Sequence, residues 1–497
     1  MRRRFPRGRR STWLPLEIQR DRIGHVQAQQ HQGPDHRDDG QYRHPLLAEE
    51  DAEEHRDPQD EHREHHTPRL SLDARSSGTF RRRLGERIRP DAARLPRAID
   101  VTEISSVAPD FSESEASAVK IVIPAETRPG ERRVAMMPSV VRKFTQLGYE
   151  VAVQSHAGDE AFANDDAFRE ADASVFTEAE LTEQLASAQV VASVRPLDYG
   201  RASRLGKGTV AISFLSPGQD LETIKALRDA GATGLSFDTL PRISRAQSMD
   251  ALTSQALVAG YRAALVGADR LPSFFPLFMT AAGTIQPAKV LVLGAGVAGL
   301  QAMATAKRLG AKVSAYDVRP ASADEVKSMG ATFITLELEA LEGSGGYARE
   351  MSEDRAARQR ELLTPYIAES DVVITTAAVP GRQAPLLVTR EMVETMKPGS
   401  VVVDLAAETG GNVEGSRPGE EVAVGAVTIW GAKDVASEMP VHASQLYAMN
   451  VAALAALLVK EEDVVVDLED EILDGCAIVY NGEIRSEAAQ QALQEGA

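Results

Sequence analysis

The sequence predicts an α/β protein with two doubly wound parallel-sheet domains of the Rossmann type, joined by long helices and preceded by a disordered N-terminal arm. Three observations support this prediction. Short apolar runs alternate with helical stretches from residue 119 onward, a glycine-rich turn interrupts one such alternation, and residues 1–118 show neither pattern. The chain of 497 residues is long enough for two or three domains with their own cores.

Residues 1–118 differ in composition from the rest of the chain. They hold 21 arginines against 22 acidic residues, eight of the ten histidines and no lysine, the first being Lys120. These residues follow neither helical nor strand periodicity, so we expect a disordered, low-complexity arm. No apolar region follows the basic start, which argues against a secretory signal. The histidines lack regular ligand spacing, so no metal site is predicted.

The formal net charge is −18, and almost all of it lies beyond residue 118. An acidic body argues against binding to nucleic acid and against unaided binding to anionic lipid. The longest apolar stretches fall short of the roughly 20 residues that span a bilayer, so no membrane span is predicted. Cys476 is the only cysteine, which excludes an intrachain disulfide, and we expect it to be a small buried residue.

The first predicted domain covers residues 119–252 and is completed by residues 435–497. Apolar runs separated by helical stretches indicate parallel strands in βαβ units. Strands are predicted at 120–124, 150–154, 190–194, 209–215 and 233–237. A long helix over 444–460 is expected to carry the chain back to this domain.

The second predicted domain covers residues 253–434 and begins with a long helix near 253–271. Its strands are predicted at 289–293, 312–316, 371–375 and 400–404. Two such sheets joined by long helices leave a cleft, and ligands of these folds bind at the carboxyl ends of the strands.

The run KVLVLGAGVAG at 289–299 is the most specific signal in the chain. Gly294 permits a tight turn after the strand, Gly296 leaves room for a pyrophosphate, and Gly299 lets the following helix pack closely. The N-terminus of that helix, predicted over 300–309, directs free N–H groups at the phosphates. This pattern predicts a dinucleotide site.

The next strand, predicted at 312–316, ends in an acid. Asp317 stands 18 residues beyond Gly299, at a position where a carboxylate accepts hydrogen bonds from a ribose. That carboxylate repels the 2′-phosphate of NADP, so the pattern favours NAD as the cofactor of this chain.

A polar segment, PRISRAQSMDALTS over 241–254, follows the strand that ends at Asp238. Arg242 offers a planar fork of donors to a phosphate or carboxamide oxygen, and Gln247 offers both a donor and an acceptor. Asp250 can hold either side chain in place. The spacing leaves a second interpretation equally open, a polar turn in which Asp250 stabilises the start of the helix.

Six motifs occur in an order that resembles one family. They are PRISRAQSMDALTS, VLGAGVAGLQA, AYDVRP, GSGGYAREMSED, TTAAVPGRQAP and VVVDLAAETGGN. Together they resemble the NAD(H)-binding domain I of proton-translocating NAD(P) transhydrogenase, which belongs to its alpha subunit. The resemblance covers about residues 119–497, and the related alanine dehydrogenases share the fold and some of the glycines.

The resemblance implies roles for particular residues. Arg242, Gln247 and Asp250 match the loop that reaches the nicotinamide, and they are the residues expected to act in catalysis. Tyr347 matches a mobile loop that folds over bound nucleotide. The other positions that match cofactor contacts are Thr253, Gly294, Gly296, Val297, Gly299, Asp317, Val318, Arg319, Gly346, Gln359 and Ala378.

The activity implied by the resemblance is hydride transfer from NADH, bound in this chain, to NADP⁺ held on a partner subunit. Membrane-spanning partner subunits would couple the transfer to proton translocation. The resemblance further implies a homodimer in the cytoplasm, held peripherally on the inner face of the membrane through those partners.

An alanine dehydrogenase-like amino-acid oxidoreductase is the leading alternative. Oxidation of an amine requires a proton acceptor and an anchor for the substrate carboxylate, and in that family a histidine and a lysine serve. Here Ser216 stands in the histidine position, no lysine is in register near Arg195, and Arg133 matches a substrate-binding arginine but is expected to be structural. Hydride transfer between two nicotinamides needs alignment rather than an acid or base, so the sequence favours transhydrogenation. A nucleotide sensor without chemistry and a nucleic-acid-binding arm are the weaker alternatives.

Overall fold

A computed structural model describes residues 119–338, 353–378, 383–460 and 463–495. The predicted N-terminal arm lies outside these residues, and so do Gly346 and Tyr347. The described residues contain two parallel sheets with helices on both faces, so the predicted fold class is confirmed for them.

The first half of the described chain supplies six parallel strands. They are β1 (Val119–Ile123), β2 (Tyr149–Gln154), β3 (Ser174–Phe176), β4 (Val190–Ala192), β5 (Val210–Ser213) and β6 (Thr233–Ser236). The connecting helices are α1 (Pro138–Gln146), α2 (Asp165–Glu170), α3 (Leu181–Ser187), α4 (Tyr199–Ala202) and α5 (Leu221–Ala230). All five strands predicted in this half are present, and β3 is an additional short one.

A long helix and a small hairpin lead to the second sheet. The helix is α6 (Ala251–Arg270), close to its predicted bounds. The hairpin consists of β7 (Phe278–Thr280) and β8 (Gly283–Ile285), and its strand residues are exposed.

The second sheet has seven strands, of which only one edge strand is antiparallel. The strands are β9 (Lys289–Leu293), β10 (Lys312–Tyr316), β11 (Thr332–Phe333), β12 (Val372–Thr375), β13 (Val401–Asp404), β14 (Glu421–Val424) and β15 (Val427–Gly431). The helices are α7 (Val297–Arg308), α8 (Ser322–Ser328), α9 (Glu353–Glu369) and α10 (Arg390–Glu394). The strand order is β11-β10-β9-β12-β13-β15-β14, so the winding reverses at β9. Ligands of doubly wound sheets bind at this switch point.

The C-terminal segment returns to the first sheet, as predicted. Its elements are α11 (Pro440–Ala455), β16 (Val459–Lys460), β17 (Asp463–Val464), α12 (Glu471–Cys476), β18 (Ala477–Tyr480), β19 (Glu483–Ile484) and α13 (Glu487–Glu495). Strand β18 pairs antiparallel with β6, which completes an eight-stranded sheet in the order β19-β18-β6-β5-β4-β1-β2-β3.

The prediction of one helix over 444–460 was wrong at both ends. The helix begins at Pro440, since a proline at the first helical position lacks only an N–H that would be unpaired there. It ends at Ala455, and Val459 and Lys460 pair instead with Val464 and Asp463 in a small hairpin. The hairpin satisfies backbone groups that a longer helix would have used.

Each sheet is covered on both faces. On the first sheet, α1 and α11 cover one face, and α3 and α5 cover the other. On the second sheet, α6 and α7 lie on one face, and α9 and α10 lie on the other. Helices α6 and α11 contact each other through the Ser254 hydroxyl, which donates to Asn450 Oδ1 at 2.7 Å. The two long helices thus connect the two sheets.

Within the described residues, no helix is both long enough and apolar enough to cross a membrane. Cys476 is fully buried, as expected, and burial raises the pKa of its thiol to about 12.

Candidate dinucleotide-binding site

The glycine-rich turn joins β9 to α7 at the switch point of the second sheet. Gly294 has a φ of 106°, which residues with a Cβ rarely adopt. A Cβ on Gly299 would lie 1.9 Å from the carbonyl oxygen of Gly294. The close packing predicted at Gly299 is therefore confirmed, and both positions require glycine for steric reasons.

The start of α7 borders open space. Gly296 is its N-cap, and a Cβ there would meet nothing within 4 Å. Val297, the first helical residue, is 37% exposed. The helix starts three residues earlier than predicted, with Gly299 in its first turn. The unpaired N–H groups of this turn are arranged to accept an anionic group.

The Asp317 carboxylate, at the end of β10, holds the glycine turn. Its Oδ2 accepts a hydrogen bond from the backbone N–H of Ala295 at 2.7 Å. Its Oδ1 accepts from the backbone N–H of Arg319 at 2.8 Å and from the Arg319 Nε at 2.9 Å. This contact raises the pKa of Arg319. A ribose that binds Asp317 therefore shares the carboxylate oxygens with Arg319.

A cavity of about 270 Å³ opens beside Asp317. Its walls include Val318 and Ile334, together with the cationic side chains Lys327 and Arg355. Apolar walls with a few polar groups are typical of sites for small molecules. Val318, a predicted cofactor contact, thus lies at a suitable cavity.

Gln359 and Ala378 occupy different environments. Gln359 lies on α9, its side chain is 1% exposed, and its Oε1 has no hydrogen-bond partner among the described residues. A buried polar atom without a partner costs about 1–3 kcal/mol, so a ligand donor would stabilise it. Ala378 is exposed and follows β12 at the carboxyl edge of the second sheet, beside the glycine turn.

The loop before α6 lines a second cavity, of about 480 Å³. Arg242 and Gln247 are exposed and contribute to its wall. Asp250 contributes too, but its carboxylate accepts hydrogen bonds from the backbone N–H of Thr253 at 2.8 Å and from the Thr253 hydroxyl at 2.6 Å. Asp250 therefore caps α6, the second interpretation that its spacing left open.

Helix α6 links this loop to the glycine turn. A Cβ on Gly260 would lie 2.0 Å from the carbonyl oxygen of Ala298, in the first turn of α7. Gly260 is ten residues beyond Asp250, so the loop lies about 15 Å along the helix axis from the glycine turn. The structure thus brings the described site residues to two places connected by one helix.

A buried ionic cluster between the sheets was not predicted. Glu131 Oε2 accepts from Arg133 Nη2 at 2.6 Å and from Arg195 Nε at 2.8 Å, and Arg195 also pairs with Asp434. The side chain of Glu131 is 0% exposed and that of Arg133 is 4% exposed. Arg195 follows β4 of the first sheet and Asp434 follows β15 of the second, so the cluster joins the two sheets.

The positions that serve amino-acid oxidation in alanine dehydrogenases are differently engaged here. Arg133 also donates to Gln255 Oε1 at 2.9 Å, so it has the structural role expected of it. Ser216 donates its backbone N–H to Asp220 at 2.7 Å. The two histidines among the described residues, His156 and His442, are exposed and line neither cavity. The described residues also contain no cluster suited to a metal ion.

The sequence pattern marks Asp238 only as the end of a predicted strand, yet this residue lines the loop cavity together with Gln247. It follows β6 directly, just as Asp317 follows β10. The signal that singled out Asp317, an acid at the carboxyl end of an apolar strand, was therefore present at Asp238 as well.

Two family models match this region of the chain. The N-terminal domain of alanine dehydrogenase/PNT matches residues 122–259, and the C-terminal domain matches residues 263–487. Together with the two parallel sheets and the glycine turn, these matches define a protein of the alanine dehydrogenase/PNT class.

Individual relatives narrow this class. The first portion of NAD(P) transhydrogenase subunit alpha from Rhodospirillum rubrum, a separate chain, is 44% identical over 376 residues, which cover 74% of this chain and 97% of the relative. A solved structure of transhydrogenase from Sinorhizobium meliloti is 40% identical, with a TM-score of 0.65, over 74% of this chain and 99% of that one. Alanine dehydrogenase of Mycobacterium tuberculosis is 32% identical over 60% of this chain and 76% of the relative. The chain belongs to the family of NAD(P) transhydrogenase alpha subunits.

Proposed function

We propose that this chain binds NADH and passes its hydride to NADP⁺ held on a partner subunit, with membrane-spanning partners carrying out proton translocation. The glycine turn and the start of α7 would receive the pyrophosphate. Asp317, Val318, Arg319 and Gln359 would contact the adenosine half. The nicotinamide half would then extend along α6 toward the loop cavity.

The observation that supports hydride exchange best is how the cations near the first sheet are engaged. Arg133 and Arg195 are both paired with Glu131, and Arg195 is also paired with Asp434. An amino-acid carboxylate would have to break these ion pairs in order to bind either arginine. Ser216, in the position of a histidine base, has no acid–base function near neutral pH.

Direct transfer balances without a proton acceptor. A C4–H bond of the NADH nicotinamide breaks, a C4–H bond forms on the nicotinamide of NADP⁺, and the products are NAD⁺ and NADPH. This chain has only to bind the donor ring and hold it in line with the acceptor. Arg242 and Gln247, with α6 capped by Asp250 beneath them, are the residues we assign to that task.

Replacing Gln247 with alanine is expected to slow hydride transfer more than it weakens NADH binding. The exposed amide offers both a donor and an acceptor to the nicotinamide, so its loss misaligns the ring. We expect a fall in the single-turnover rate of about 100-fold and a change in NADH affinity below about 10-fold. Gln219→Ala, in an exposed loop after β5, is a matched control. A pure loss of affinity would contradict the alignment role.

Two assays separate the alternatives from this proposal. An alanine dehydrogenase-like enzyme would reduce NAD⁺ with L-alanine and no other protein. A nucleotide sensor would bind NADH but transfer no hydride when an NADP-binding partner is present.

We further propose that the chain is a homodimer, attached to the cytoplasmic face of the membrane only through its partners. Helix α11 leaves Val441, Leu446 and Met449 exposed, and α6 leaves Leu257 and Tyr261 exposed. Apolar side chains on two long helices that contact each other are suited to a subunit interface.

Replacing Leu446 with aspartate is expected to convert the dimer into monomers, because it would bury an unpaired charge in the interface. Light scattering after gel filtration measures the mass. Leu446→Met, which keeps an apolar side chain, is the control. A wild-type protein that is already monomeric at micromolar concentration would contradict the dimer.

A further inference from the structure

Asp238 stands at the carboxyl end of β6, in the short helical turn Phe237–Thr239. Its backbone N–H donates to the Ser236 hydroxyl at 3.0 Å, which fixes where the residue leaves the strand. Asp238, Arg242, Gln247 and Asp250 line the same cavity of about 480 Å³. The cavity thus contains two carboxylates, and that of Asp250 is already engaged in capping α6.

The surroundings of Asp238 are mixed in charge. Burial raises the pKa of its carboxyl to about 6, while a hydrogen bond from the Leu215 backbone lowers the pKa. Asp220, before α5, raises the pKa, and Arg195, after β4, lowers it. The Tyr447 hydroxyl on α11 also interacts with Asp238, and Arg242 and Asp250 share the cavity.

A carboxylate near a nicotinamide distinguishes the two redox states of the ring. The oxidised ring carries a positive charge and the reduced ring is neutral. An ionised Asp238 therefore attracts NAD⁺ by a Coulomb interaction that NADH lacks, and the interaction is strong because the site is partly shielded from water. Neither Arg242 nor Gln247 supplies a negative charge to this cavity.

We propose that the Asp238 carboxylate sets the preference of this site for oxidised over reduced nicotinamide. The inference rests on the proposed function, since it requires the nicotinamide to lie in the loop cavity. Asp238 then acts as a specificity-determining residue that stabilises the product of hydride donation. It thereby shifts the equilibrium of transfer toward NADPH on the partner.

The sign of the pH dependence follows. Above about pH 7 Asp238 is ionised and attracts NAD⁺ fully, and below about pH 5 it is neutral and the attraction is lost. Bound NAD⁺ lowers the pKa of the Asp238 carboxyl further, whereas NADH does not. The ratio of the Kd for NAD⁺ to the Kd for NADH should therefore fall as the pH rises through about 6.

The experiment measures both Kd values calorimetrically on the full chain between about pH 5 and about pH 8. In Asp238→Asn at high pH the ratio should rise by about 10-fold and lose its pH dependence. Asp238→Glu should keep the pH dependence of the wild type. Asp269→Asn removes a carboxylate whose side chain is 81% exposed, and it should match the wild type.

Three results would overturn the inference. The first is an unchanged ratio in Asp238→Asn, and the second is an equal loss of affinity for both nucleotides. The third is a wild-type ratio that does not vary with pH, which decides the question even if the asparagine variant fails to fold. Failure of the proposed function looks different, because the wild type would then bind neither nucleotide.

Discussion

Replacing Glu131 with glutamine is expected to lower the free energy of unfolding by about 3–5 kcal/mol. Glu131 is fully buried and is hydrogen-bonded to Arg133 and Arg195. Glutamine keeps the shape of the side chain but leaves two guanidinium groups without their shared anion. Urea denaturation of the full chain followed by circular dichroism measures the loss.

The same carboxylate predicts an acid-sensitive contribution to stability. Burial alone would raise the pKa of Glu131, but hydrogen bonds from Arg133 and Ser437 and the positive charges of Arg133 and Arg195 lower it to about 2. A group with a lowered folded-state pKa stabilises the protein above its unfolded pKa of 4.5. This contribution is lost as the pH falls from there toward about 2.

A matched control is Glu160→Gln. Glu160 pairs with Arg132 at 3.1 Å, but its side chain is 69% exposed, so we expect a change below about 0.5 kcal/mol. If Glu131→Gln were as mild as this control, the cluster could not be what holds the two sheets together.

Replacing Asp317 with asparagine is expected to weaken NADH binding by about 1.5–3 kcal/mol, or roughly 10- to 100-fold. The variant removes a charged acceptor for the ribose hydroxyls and weakens the contact with Arg319. Isothermal titration calorimetry measures the affinity. Asp324→Asn, on α8 with a side chain 93% exposed, should bind NADH as the wild type does.

Asp317 also accepts from the backbone N–H of Ala295, so the melting temperature of the variant is followed in parallel. A loss of affinity with an unchanged melting temperature assigns the effect to the cofactor contact. Unchanged affinity would place the ribose elsewhere.

The sequence predicted the second sheet more accurately than the C-terminal segment. Strands β9 and β10 were predicted to the residue, because each is an apolar run between a lysine and either a glycine or an acid. Strands β18 and β19 were missed, since short runs carry little periodicity. Asn481-Gly482 between them, with φ of 47° and 82°, is the typical turn of a two-residue hairpin and could have indicated the pair.

The site was less predictable than the fold. The spacing around Asp250 fitted a helix cap and a ligand contact equally well, and only the distances to Thr253 show the cap. The ionic cluster joins Glu131, Arg195 and Asp434, which are far apart in the sequence. Local patterns carry no information on such contacts, because they depend on how the two sheets pack.

Transfer of a labelled hydride is the sharpest test of the proposed reaction. NADH carrying deuterium at C4 is mixed with the full chain, an NADP-binding transhydrogenase domain and NADP⁺, and the NADPH formed is analysed by mass spectrometry. We expect deuterium to appear in NADPH and not in water, at a rate that depends on this chain. NADPH without deuterium, or no NADPH despite tight NADH binding, would show that this chain does not donate the hydride.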